Sequence, residues 1–101
     1  MGEVYIYKPV ETSLFKKTRK IAEKRGFDLS LLHEPITLLS LGKPLPPKYR
    51  DHQLKGRLSA FRECHIQGDW LLVYRIVKDK LILSLHSTGT HSDIFYYTQE
   101  P

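Results

Sequence analysis

Residues 70–77 read Trp-Leu-Leu-Val-Tyr-Arg-Ile-Val, interrupted by a single charge at Arg75, and no other feature limits the fold as strongly. A nearly continuous apolar run rich in aromatic and β-branched side chains fits a central strand, covered on both sides or at least on one whole face. Turn residues bound it, Gln67-Gly68-Asp69 before and Lys78-Asp79 after, and beyond these turns residues 59–66 and 80–86 also read as strands. Connections this short join antiparallel neighbours, so an antiparallel sheet is expected. A further short strand is expected at Val4, Tyr5, Ile6 and Tyr7, with Pro9 interrupting it.

Two helical segments precede the long strands. Over residues 12–25, Leu14, Thr18, Ile21 and Ala22 recur at helical spacing, while Lys16, Lys17, Arg19, Lys20 and Lys24 fall largely elsewhere and make a basic outer face. Thr12 or Ser13 supplies a capping oxygen at its start, and Gly26 suits its end. Leu29, Leu32, Ile36 and Leu39 then repeat up to Gly42 with Pro35 among them, so the second helix either starts near Glu34 or is kinked there. The Pro-rich loop GKPLPPKYRDH follows, stiff enough to hold a residue such as His52 in place. Helices packed on one face of an antiparallel sheet give an α+β sandwich of two layers. With 101 residues, 41% of them hydrophobic, and no repeat or linker, residues 1–101 are expected to form one domain. No apolar run is long enough for a membrane span and no signal peptide is evident, so a cytoplasmic location is expected. The single cysteine, Cys64, reads as a small buried apolar residue.

Sixteen Lys and Arg against eleven Asp and Glu give a net charge of +5, which favours polyanionic partners. A solvated helix face is the plainer account of the same lysines. The histidines narrow the choice. His52 leaves the Pro-rich loop, His65 ends one strand, His91 follows the last, and Asp69 and Trp70 stand at the turn after His65. A lone histidine is usually structural; three that a hairpin meander brings to one end, beside an aspartate, point towards chemistry.

Several chemistries are poorly served by this inventory. No His pair lies at i, i+4 on a helix and no C-x-x-C occurs, while Cys64 and His65 are strand neighbours on opposite faces; neither a metal nor another cofactor is expected. The same alternation separates Cys64 from a base on its own face, and neither G-x-S-x-G nor a glycine-rich phosphate loop is present. RNA cleavage fits better, because RNA carries its own nucleophile in the 2′-hydroxyl. Histidine, roughly a quarter protonated at pH 7, serves as base in one copy and as acid in another. Arginine or lysine stabilises the phosphate, and Trp70 or Phe95 is a candidate to stack on a base, although the core is an equal destination for Trp70.

The stretch RDHQLKGRLSAFRECHIQGDWLLVYRI, followed by TGTHSDIF, resembles the YafQ-type toxins of bacterial toxin-antitoxin systems, within the wider RelE/ParE superfamily. The resemblance runs from the first helix to Phe95 and is strongest from Arg50 onward. It implies a compact sheet with two helices and a ribosome-dependent messenger-RNA endonuclease that cuts the codon in the decoding site. The family's site pattern falls on His52, His65, Asp69, His91 and Phe95, with Trp70 beside them. It implies His91 as general acid, His65 or Asp69 assisting deprotonation of the 2′-hydroxyl, and His52 positioning or neutralising the phosphate. Phe95 either stacks on a base or closes the core, and Tyr96 and Tyr97 extend a strand or cover the core. Many relatives carry arginine where this chain has Ser87, so phosphate stabilisation is expected from Arg62, Arg75, Lys55, Arg57 or a histidinium. On this reading Lys16, Lys17, Arg19, Lys20 and Lys24 dock ribosomal RNA. The implied partners are a cognate antitoxin, commonly of ribbon-helix-helix type, and operator DNA bound through the complex. Two alternatives stand beside it: a catalytically silent ribosome- or RNA-binding module, and a protein-targeting toxin of the kind that inhibits DNA gyrase.

Overall fold

Trp70–Val77 forms the middle strand of the sheet in the computed structural model, which describes residues 4–98. In chain order the main elements are β1 (Lys8–Glu11), α1 (Ser13–Lys24), α2 (His33–Ser40), β2 (His52–Gln53), β3 (Arg62–Gln67), β4 (Trp70–Val77), β5 (Ile82–Gly89) and α3 (His91–Thr98). The strands lie in the order β1-β5-β4-β3-β2, with β1 parallel to β5 and every other pair antiparallel. The fold is α+β, and the sheet is mixed at one edge where an antiparallel one was expected. A parallel edge follows from connectivity: α1 and everything after it separates β1 from β5, so no hairpin constrains their relative direction.

All of Trp70–Tyr74 is buried, which means that both faces of β4 are covered there. On one face Trp70, Leu72 and Tyr74 pack with Phe15 of α1, Leu32 and Leu39 around α2, and Leu83 and Leu85 of β5. On the other, Leu71 and Val73 pack with Ile94 of α3. Each fully buried leucine here contributes roughly 1.5–3 kcal/mol relative to exposure, so α3 closes a second, smaller core.

α1 begins as its sequence indicates: the Thr12 Oγ1 accepts the Phe15 amide proton at 3.0 Å and donates to the His86 carbonyl at 2.9 Å. Its buried face is Phe15, Thr18 and Ala22, with Leu14 and Ile21 only half-buried beside it. Gly26 ends it at φ 87°, in the left-handed region. α2 starts at His33 after a 3₁₀ turn, Leu29–Leu32. Pro35 therefore falls in its first turn, where an amide hydrogen would have no partner within the helix.

The strand expected at residues 4–7 lies instead at Lys8–Glu11 and contains Pro9. The amides of Lys8 and Thr12 donate inward to the Leu81 and Leu85 carbonyls at 2.9 and 3.2 Å. By alternation the nitrogen of Pro9 faces outward, where its missing hydrogen costs no ladder bond. Residues 6 and 7 donate instead to the Ser40 carbonyl at the end of α2. β3 begins at Arg62 after the 3₁₀ turn Gly56–Leu58, and β5 runs on to Gly89. The final helix, α3, was not expected from the sequence.

Candidate active site

His65 lies in β3 with a histidine ring on either side, His52 at 6.1 Å and His91 at 5.7 Å between ring centroids. Three elements deliver them. β2 is only two residues long, but its pairing sets His52 opposite Glu63, and β3 carries His65 two positions further along the same face. α3 supplies His91 as its first residue. The start of that helix is a reciprocal cap: Asp93 accepts the Thr90 amide proton at 3.0 Å, and the Asp93 amide donates to Thr90 Oγ1 at 3.2 Å. Arg25, just beyond α1, donates to the same Asp93 carboxylate. Gly89 is required beneath this cap, because its φ is 150° and a Cβ there would meet the Asp93 side chain at 2.9 Å.

Each histidine has its own partner. The His91 Nδ1 is hydrogen-bonded to Asp69, whose carboxyl this bond holds below the ordinary range, and the Nε2 is left for a reacting group. His52 faces acceptors at both nitrogens, the Arg50 carbonyl at 2.8 Å from Nδ1 and the Glu63 carboxylate at 3.2 Å from Nε2. His65 accepts at Nδ1 from the Arg50 guanidinium at 3.0 Å. Partial burial, the Arg50 charge and the two neighbouring histidines lower the His65 pKa, while Glu63 opposes them in part. Accepting at Nδ1 places the proton of neutral His65 on Nε2, so the ring offers a donor to a phosphate.

The structure thus brings together His52, His65, Asp69 and His91, and adds Arg50 and Glu63, to which the sequence reading gave no role. Glu63 was legible as the same-face neighbour of His65 at i−2. Arg50 was not: it takes a left-handed conformation at φ 45°, which aims its side chain in a way no spacing rule anticipates. Phe95, one helical turn after His91, is 68% exposed and lines a cavity of about 220 Å³ with Lys55, Arg57, Leu58 and Thr98. It is free to meet a base and does not close the core.

Other candidates stand apart. Trp70 is in the core, its indole donating to Thr88 Oγ1 at 2.7 Å and its ring against Phe27, so it presents no stacking face to the site. Arg62 is turned to the opposite face and paired with Asp51 at 3.0 Å. Arg75 is exposed near the far end of β4. Ser87 is fully buried and hydrogen-bonded to His86, and the guanidinium that does meet a site histidine belongs to Arg50. Burial pushes the Cys64 thiol up to about 12, so it is inert as a nucleophile. Lys16, Lys17, Lys20 and Lys24 line a shallow groove along α1, whereas Arg19 is drawn aside to Glu11 at 3.1 Å.

Although no metal was expected, donor atoms of His52, Glu63 and His65 lie within 4.8 Å of one another, a set suited to zinc or copper. Among the described residues, no helix is long and apolar enough to cross a membrane.

Residues 7–96 match the family model of YafQ, a bacterial toxin of type II toxin-antitoxin systems. The mRNA interferase toxin YafQ of Escherichia coli K12 is 40% identical over 82 residues, covering 80% of this chain and 87% of that protein. A metal-bound toxin from Helicobacter pylori superposes with a TM-score of 0.83 at 46% identity, covering 88% of this chain and 99% of the other. YafQ in the E. coli DinJ-YafQ toxin-antitoxin complex gives 0.79 at 33% identity, covering 89% and 98%. The chain therefore belongs to the YafQ family of type II toxin-antitoxin toxins.

Proposed function

We propose that this chain is an mRNA interferase: an endoribonuclease of the cytoplasm that enters the ribosomal decoding site and cuts the codon there through the 2′-hydroxyl of the RNA. The observation that carries this reading is the row of three histidine rings with His91 tethered to Asp69. Acid and base must flank one phosphate, and His91 with Asp69 is separate from, and differently partnered than, its neighbour His65 beside Glu63.

His91 is the general acid. Asp69 fixes its Nδ1, and the Nε2 proton goes to the leaving 5′-oxygen as the P–O5′ bond breaks. The Nε2 of His65 holds the phosphate, whose developing charge Arg50 and His52 also face. Deprotonation of the 2′-hydroxyl falls to the His65–Glu63 pair; Asp69 is engaged by His91, the His65 Nδ1 by Arg50 and one Glu63 oxygen by His52, which leaves the other Glu63 oxygen to take the proton. The new 2′-O–P bond gives a 2′,3′-cyclic phosphate and a free 5′-hydroxyl. Phe95, Lys55 and Arg57 form the wall on which a neighbouring base and phosphate rest. The α1 lysines dock ribosomal RNA. An acidic antitoxin carrying a ribbon-helix-helix DNA-binding domain is the partner, and the complex binds its own operator.

Mapping messenger-RNA ends after adding the protein to ribosomes stalled on a defined codon tests this. Cuts in the decoding-site codon are expected from the parent, with none on free RNA and at least a hundredfold slower cleavage, to order of magnitude, by His91→Ala. Ribosome binding without cuts would leave the silent module as the better account.

The His52–Glu63–His65 donor set favours one addition: a copper or zinc ion there ties up the groups that should meet RNA and silences the enzyme. Copper bound to the parent chain should give an electron paramagnetic resonance spectrum of mixed nitrogen and oxygen ligation, weakened in His52→Ala. Absence of such a signal would remove this addition without touching the nuclease reading.

A further inference from the structure

Asp51 stands between two residues of the site and turns away from it. Arg50 and His52 face His65, whereas the Asp51 carboxylate passes to the side of the sheet that α1 and α2 cover. There it accepts Arg62 Nη2 at 3.0 Å and Nε at 3.3 Å, together with the hydroxyl proton of Tyr74. Arg62 and Tyr74 are directly paired across β3 and β4, and Tyr74 is 1% exposed. Burial and then the bond to Asp51 raise the Tyr74 pKa, so it remains a donor. The carboxylate is thus fastened to two adjacent strands, β3 and the central β4.

Arg50 stands on the other side of this fastening. Its φ of 45° is unfavourable for any residue with a Cβ and persists only where neighbours hold it. In that conformation its guanidinium reaches His65 Nδ1 and its carbonyl receives His52 Nδ1. A partly buried ion pair with a tyrosine is not needed to join two strands, since apolar side chains of equal volume do so at least as well. What a carboxylate adds is a single allowed placement of its own backbone, and hence of the residue before it.

We propose that Asp51 is a positioning residue of the nuclease centre: held by Arg62 and Tyr74, it fixes Arg50 in the left-handed conformation that orients His65 and His52. This rests on the nuclease reading above. Asp51 touches no substrate, and its effect passes through Arg50 into turnover, not into RNA affinity.

A double-mutant cycle tests the route. Asp51→Asn keeps the shape of the side chain and loses its charge; kcat should fall on the order of tenfold with KM little changed. In an Arg50→Gln background, where the guanidinium is gone and only the carbonyl that meets His52 is left to misplace, the same substitution should cost about two- to threefold. Tyr74→Phe removes one of the carboxylate's donors and should give a smaller loss of kcat that likewise shrinks beside Arg50→Gln. This variant carries the test if Asp51→Asn does not fold. A second readout does not depend on cleavage: by nuclear magnetic resonance, the Arg50 guanidinium protons held by His65 should be visible in the parent and lost to exchange in Asp51→Asn or Tyr74→Phe. Equal slowing in both backgrounds, or Arg50 protons that stay protected, would overturn the proposal and leave Asp51 as a structural residue. A parent that never cleaves would sink the nuclease reading, and the resonance experiment would still decide the positioning.

Discussion

Single residues set how this protein responds to acid. His65 and His86 both have pKa values lowered from 6.5, His65 by partial burial with the Arg50 charge, and His86 by burial against Phe61. For each, the unfolded chain takes up a proton at a pH where the folded chain still refuses it. Stability is therefore intact above about pH 6.5 and is lost as pH falls through and below that value. Asp69 and Asp93 are also lowered, and they add a second loss once pH drops below about 4. The melting temperature should fall between pH 7 and pH 5, and less so in His65→Asn; equal falls in both would show that His65 carries none of the effect. The sequence told much about this scale and missed some of it. Three histidines and Asp69 were legible because strand ends and turns gather such residues wherever the exact boundaries fall. Arg50 was not, because its aim depends on a left-handed backbone that has no period, and for Trp70 the sequence left the core and the site as equal destinations until packing chose the core.

Elements carry the next level of control. α3 is eight residues long, too short to persist by propensity, so its start depends on the Thr90–Asp93 cap and its body on Ile94 in the second core. Thr90→Ala should cost about 1 kcal/mol of stability, typical of a lost cap. Because His91 is the first helical residue, cleavage should fall further than the melting temperature alone explains. Unchanged turnover in a folded Thr90→Ala protein would show that Asp69 alone holds His91. The cap is readable as Thr-x-x-Asp, but the apolar content after it is thin, and no helix was expected there. The central strand was legible to the residue, since an eight-residue apolar run between turns leaves no freedom in its limits. β1 was misplaced because Val4–Tyr7 has the better β composition, whereas the parallel partner β5 lies some seventy positions away and selects Lys8–Glu11.

For the whole molecule, the excess of positive charge is concentrated where α1 faces outward. Lys17 lies over the ring of Tyr97 at 5.2 Å, so the lysine groove borders the helix that carries His91. Replacing Lys16, Lys20 and Lys24 together by alanine should weaken ribosome binding most at low salt and flatten its salt dependence, each lost phosphate contact removing roughly one unit of the log-log slope. Cleavage of messenger RNA on the ribosomes still bound should proceed at the parental rate, and binding that matched the parent at every salt concentration would move the docking face elsewhere. One feature of the sheet bears on how copies of the chain meet. Its ladder ends at β1 with Pro9 turned outward and at β2 with a strand of two residues, so neither rim is a useful template for another strand. Two copies that meet therefore have no ready way to zip edge to edge along the described strands into a fibril.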